Sequence, residues 1–165
     1  MVGEEFEAIY RAHVDQVYGL CLRMTGQSAL AEDCTQECFI AAWRALPTFA
    51  GRSRMSTWLH RIAVNTVLTL RRRRPGDALR EAGVLDEAVL QVDGGAEASG
   101  TLDVEAALAR LPQGARDVLV LVGIYGHSHE ESAAMLGIAA GTSKAQLHRA
   151  RRLMAQQLGI AMEAA

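Results

Sequence analysis

Aromatic side chains make up only 5% of this 165-residue chain, and there are just three prolines and three cysteines. With Ala, Leu and Val abundant and aromatics scarce, strand-type composition is missing and long helices are favoured. No stretch of about 18 uncharged apolar residues occurs, which excludes a transmembrane helix. The acidic start MVGEEFEAIYR lacks the basic segment of a signal peptide. A cytoplasmic protein without membrane insertion is therefore expected, a setting that also argues against structural disulfides. Nor is there a phosphate loop, a nucleophile–base motif or an HExxH spacing, so no enzyme, catalytic residue, metal or cofactor is expected.

Charge is present but segregated. Residues 1–50 hold three basic and seven acidic groups, whereas residues 51–80 hold eight arginines against one aspartate. Residues 81–105 carry seven acidic groups and no basic one, and residues 106–165 have a surplus of two positive charges. The net charge of −2 thus conceals a strongly basic block, the electrostatic footprint of a polyanion-binding segment.

Apolar spacing divides the chain into helices. Phe6, Ile9, Tyr10, Val14, Val17, Tyr18, Cys21 and Met24 define one face over 4–25, with Gly26 as the stop. Ser28 is expected to cap a second helix that runs to Pro47, with Leu30, Cys34, Cys38, Ala41 and Ala45 inward. Asp33, Gln36, Glu37 and Arg44 form its polar ridge. After a loop, Ser53 or Ser56 is expected to cap a third helix built on Met55, Trp58, Leu59, Ile62, Ala63 and Thr66, which ends in Arg71–Arg74.

Pro75-Gly76 breaks that helix, and Gly94-Gly95 and Ser99-Gly100 mark loose chain. Residues 75–102 read as an acidic linker with a possible short helix over 78–92. It serves as a spacer or as an acidic mimic of RNA in a basic channel. The apolar period returns at Asp103, and Pro112 can start a helix that continues to Gly126. Next come a helix over Glu130–Leu136, a turn at Gly137, Thr142 as cap and a helix over Ser143–Leu158. Ala133, Leu136, Ile138, Leu147, Ala150 and Leu153 or Met154 form its buried side. Lys144, Gln146, His148, Arg149, Arg151 and Arg152 form the exposed one, completing a helix-turn-helix whose second helix suits the DNA major groove.

Cys34 and Cys38 are one helical turn apart, and with Cys21 or His13 they could bind zinc or sense oxidants. All three cysteines fall on inward stripes, so packing as small hydrophobes is the stronger reading. His127 and His129 lack partners at a convincing metal-binding spacing.

Taken together, AEDCTQECFIAAWRAL, FAGRSRMSTWLHRIAVNT with its basic end, and LPQGARDVLVL…GHSHEESAAMLGIAAGTSKAQLHRARRLM resemble the sigma-70 family of bacterial RNA polymerase sigma factors. More narrowly, they resemble its extracytoplasmic-function (ECF) class. The resemblance implies an all-α chain of two small helical domains: region 2 over 1–74 and a region 4 helix-turn-helix over 103–165, joined by the linker 75–102. It implies binding to core RNA polymerase through the β′ clamp helices and the β flap, recognition of −10 and −35 promoter DNA, promoter melting, and control by an anti-sigma factor.

Residue by residue, the resemblance assigns Asp33, Gln36, Glu37 and Ile40 to polymerase docking. It assigns Phe49, Arg52, Met55, Ile62 and Asn65 to a pocket for an unpaired −10 base, with Arg61, Arg71 and Arg72 on phosphates. Trp58 either stacks on a base or packs in the core. Thr142, Lys144, Gln146, His148 and Arg149 face the −35 element, and Arg151 and Arg152 touch phosphate. Cys34, Cys38, Ser132 and Ser143 stand where the family usually has larger or more apolar residues, and Gln146 where a basic residue is frequent. The departures at Ser132, Ser143 and Gln146 are expected to loosen the second domain and weaken its grip on phosphate. The alternative is a stand-alone helix-turn-helix regulator with a cysteine-based sensing domain.

Overall fold

The computed structural model describes residues 2–73 and 100–159; the possible helix over 78–92 lies outside them. Every regular element among the described residues is helical. The chain divides into two compact units, 1–74 and 75–165.

In the first unit, α1 (Val2–Thr25), α2 (Ser28–Ala45) and α3 (Met55–Arg72) all pack against one another. Gly26 takes a φ of 71°, a left-handed conformation open to glycine without steric cost, and so ends α1 sharply. Val17, Leu20, Cys21 and Met24 of α1 meet Ala31, Cys34, Cys38, Phe39 and Ala42 of α2, and Leu59, Ala63, Val64 and Val67 of α3. The α2 seam is therefore rotated from its expected position. Phe39 and Ala42 are buried, while Ala41 and Ala45 are only half-buried. The bulkier Phe39 commits more apolar area to the core than an alanine can.

The expected caps differ too. Gln27 and Arg54 occupy the cap positions of α2 and α3 without side-chain hydrogen bonds to the helix ends. Ser28 sits inside the first turn, and Thr25 instead orders the α1–α2 corner, its Oγ1 accepting from the Gln27 N–H at 3.4 Å. Arg71 is a clear correction. It is buried, and its Nη2 donates to the Met24 carbonyl at 2.7 Å, so it ties the end of α3 to the end of α1 rather than facing solvent. A cation at a helix C-terminus satisfies an otherwise orphaned carbonyl and complements the helix dipole.

The second unit contains α4 (Gly100–Ala109), α5 (Gln113–Val118), a π-helical segment (Leu119–Ile124), α6 (His129–Leu136) and α7 (Ala140–Leu158). Leu108, Leu111, Ala115, Val118, Val120, Leu121, Ala133, Leu147 and Ala150 form its core. Ser128 caps α6 through a complete capping box with Glu131, a signature present in the sequence as Ser-x-x-Glu. Gly137, at φ 70°, makes the turn between α6 and α7. Helix α7 starts at Ala140, so Thr142 lies within its first turn and is not the cap.

Candidate functional site

Helix α2 presents Asp33, Gln36, Glu37 and Ile40, all exposed, at spacings of three and four residues that form one stripe. Beside it, α1 and α2 enclose an open groove of about 730 Å³, lined by Phe6, Tyr10, Val14, Tyr18, Phe39, Ile40 and Trp43, with Asp15, Glu32 and Gln36 among its polar residues. Phe6 and Trp43 meet edge-to-face at 4.9 Å, as do Tyr10 and Phe39. Tyr10, Ile40 and Trp43 remain 41–44% exposed although large and apolar. Five of the chain's eight aromatic residues line this groove. Such a concentration on an open surface marks an interaction face. Sequence reasoning puts Phe6, Tyr10, Val14 and Tyr18 on the inward face of the first helix, leaves Phe39 and Trp43 unassigned, and gives Ile40 to polymerase docking. The missed signal was the repetition of aromatics at four-residue spacing, Phe6/Tyr10 on one helix and Phe39/Trp43 on the next.

The basic stretch builds a second surface. After a 3₁₀ turn over Leu46–Thr48, Gly51 bends the loop at φ 71°. Phe49 and Trp58 are half-buried and stack at 5.0 Å with a 43° tilt, which gives the loop an aromatic wall. Arg52, Arg61, Asn65 and Arg72 are exposed, and Met55 and Ile62 are half-buried beside them. Arg61 and Asn65 are one turn apart on α3, with Arg72 two turns further along. Arg71 is withdrawn from this surface, leaving Arg72 and Arg73 exposed at the end of α3.

On α7, Thr142, Lys144, His148, Arg151 and Arg152 are exposed, and Arg149 is half-buried. Gln146 departs from its expected role. Its Oε1 is buried without a hydrogen-bond partner among the described residues, and a Cβ placed on Gly114 would lie 3.0 Å from its Nε2. The amide therefore packs against α5. Ser143 is buried, but its hydroxyl lies 2.8 Å from His129 Nδ1, so this polar substitution is satisfied across the α6–α7 turn. Ser132, fully buried, has no such partner among the described residues. His127 is buried with Nδ1 3.3 Å from Glu131 Oε2, the same carboxylate that closes the capping box.

The three cysteines are free and buried. Burial pushes the Cys21 and Cys38 thiols up to about 12, with the neighbouring Cys34 adding to the shift in both. A hydrogen bond with Thr35 opposes it at Cys21. Such thiols stay protonated at neutral pH and are poor nucleophiles and ligands.

Comparison with known proteins joins these surfaces. Sigma-70 region 2 matches residues 9–75, and sigma-70 region 4 matches residues 101–154. The ECF RNA polymerase sigma factor SigM of Mycobacterium tuberculosis is 33% identical over 93% of this chain and 77% of its own length. SigW of Bacillus subtilis is 32% identical over 94% of this chain and 89% of its own. The chain belongs to the ECF class of the sigma-70 family.

As an ECF sigma factor it is a transcription initiation factor, and a cysteine-sensing stand-alone regulator is not favoured. Among solved structures, the sigma factor RpoE from Bartonella quintana, in complex with the anti-sigma factor NepR, matches with a TM-score of 0.74 at 26% identity. That match covers 96% of this chain and 99% of RpoE. CnrH, in complex with the cytosolic domain of CnrY, matches with a TM-score of 0.63 at 26% identity, over 95% of this chain and 89% of CnrH. No described helix is long and apolar enough to cross a membrane.

Proposed function

We propose that this sigma factor divides its work among three surfaces. The α2 stripe Asp33, Gln36, Glu37 and Ile40, continued by the aromatic groove, docks on core polymerase. Its carboxylates steer basic residues of the β′ clamp helices, and its apolar groove supplies the contact area. The loop after α2 and the exposed side of α3 hold the opened −10 strand. A base inside a duplex does not expose all its edges, so it is taken out of the stack and read in a pocket. Phe49, Met55 and Ile62 supply the pocket's walls, Asn65 an amide for a base edge, and Arg52, Arg61 and Arg72 contacts to phosphate. Helix α7 enters the major groove at the −35 element, with Thr142, Lys144, His148 and Arg149 near the bases and Arg151 and Arg152 toward phosphate.

The observation that carries this reading is the pairing of regions 2 and 4, in that order, on two helical units that each expose a basic helix face. The domain division follows as residues 1–74, a linker and a C-terminal helix-turn-helix. It acts in the cytoplasm as a non-enzymatic specificity subunit, contacting the β flap through the second unit. The anti-sigma complex of RpoE supports an anti-sigma partner for this chain as well. The test is in vitro transcription with core polymerase: defined start sites should appear only when this protein is added. Start sites identical with and without it would refute the reading.

A further inference from the structure

The groove between α1 and α2 is polarised along its length. Phe6 meets Trp43 and Tyr10 meets Phe39, each pair edge-to-face at 4.9 Å, so the two helices run antiparallel in a fixed register. One further turn along each helix brings Val14 level with Thr35, and the next sets Tyr18 beside Glu32. Among the described residues, the charged groups that line the groove are Asp15 and Glu32, both exposed and both at this end. They lie about 13–16 Å along the helices from Phe6 and Trp43. Arg11, one turn before Asp15, is engaged by Glu7 at 2.6 Å. One end of the groove is therefore aromatic and the other anionic. Its volume of about 730 Å³ is that of a site for an organic ligand.

We propose that this groove binds a cationic amphiphile, an elongated small molecule with an amine or quaternary ammonium head and an apolar tail. The head lies between Asp15 and Glu32, near the Tyr18 ring, whose face attracts a cation. The tail runs past Val14 to Phe6 and Trp43 and covers rings that otherwise face water. Charge complementarity selects this class. An anionic amphiphile meets two carboxylates, and a neutral one leaves both without a partner. Gln36 and Ile40 line the same groove and belong to the stripe assigned to polymerase docking. A bound amphiphile therefore occludes that surface. The occlusion rests on the docking reading, whereas the binding site itself does not.

The test is isothermal titration calorimetry of the full chain with alkyltrimethylammonium ions below their micelle-forming concentrations. Decyltrimethylammonium should bind saturably, and about tenfold or more tightly than hexyltrimethylammonium, because the longer tail buries more apolar surface. Decyl sulfate, with the opposite charge, should bind about tenfold more weakly than the cation or not at all. Asp15→Asn with Glu32→Gln should weaken cation binding about three- to tenfold and remove its advantage over decyl sulfate. Trp43→Ala should cost about fivefold or more, and Trp43→Phe, which keeps a ring, should recover most of it. In a Trp58→Phe chain the emission of Trp43 should shift as the cation saturates its site. Far-UV circular dichroism of each variant separates loss of binding from loss of the helices. Equal affinity for the cationic and anionic chains would overturn the proposal, as would cation binding untouched by the carboxylate and Trp43→Ala variants. A dimer dispersed by Trp43→Ala, with no decyltrimethylammonium bound, would give the groove to a second copy and also overturn it. Saturating cation should raise the amount of this protein needed to saturate core polymerase by about tenfold. Binding without such competition would leave the amphiphile site in place and refute the groove's part in docking.

Discussion

Arg71 and Arg72 are adjacent arginines with opposite fates. The first is buried and donates to the Met24 carbonyl; the second is exposed. Arg71→Ala should destabilise the first unit by about 1.5–3 kcal/mol, the scale of a hydrogen bond from a charged group. Arg72→Ala should stay within about 0.5 kcal/mol of wild type in thermal unfolding but weaken binding to promoter DNA. Ser132 offers the reverse case. Its buried hydroxyl has no partner among the described residues, so Ser132→Ala should be neutral or stabilise the second unit by about 1 kcal/mol in denaturant titration.

The thiols give a pH signature. Cys21 and Cys38 ionise near 9.0 in the unfolded chain and near 12 in the fold. The unfolded state therefore loses these protons first, and their contribution to stability is full below pH 9 and falls as pH rises from about 9 to 12. At neutral pH, a thiol reagent should label none of the three cysteines until the chain is unfolded. Rapid labelling of the native protein would contradict their place in the core.

At the level of elements, α2 keeps two faces with different work. Cys34 and Cys38 face inward, and Asp33 and Glu37 face outward one residue before each. Charge reversal by Asp33→Lys with Glu37→Lys should lower affinity for core polymerase by about tenfold while the helical content is unchanged, because exposed charges steer association more than they stabilise folds. On α3, Asn65→Ala should reduce discrimination between correct and mismatched −10 forks more than it reduces total DNA affinity. Equal losses on both forks would mean that Asn65 holds backbone rather than a base.

For the molecule as a whole, separate cores in two units imply separable unfolding. Both tryptophans, Trp43 and Trp58, lie in the first unit, whereas both units contribute helix. Tryptophan fluorescence and far-UV circular dichroism should therefore give non-coincident unfolding curves. Coincident transitions would mean that the units are stabilised together. The charge blocks matter at this scale too. A chain of net charge −2 can bind DNA because its cations are gathered on α3 and α7, where the local field rather than the total acts on phosphate.

Amino-acid sequence alone determined the helical class, the acidic stripe on α2 and the family. Periodicity and local charge express themselves through neighbours a few residues apart, and a paired set of motifs survives without coordinates. The Ser128 capping box was equally local and was legible, though overlooked. Tertiary structure decided the remainder. Which of the arginines Arg71, Arg72 and Arg73 turns inward depends on the end of α1, 47 residues from Arg71. Whether Gln146 faces DNA depends on Gly114, in another helix. The groove required two helices to set their aromatics side by side, and no single helical period contains that information. Apolar spacing says that a side chain is on the inward side of its own helix; only the neighbouring helix determines whether anything is there to cover it.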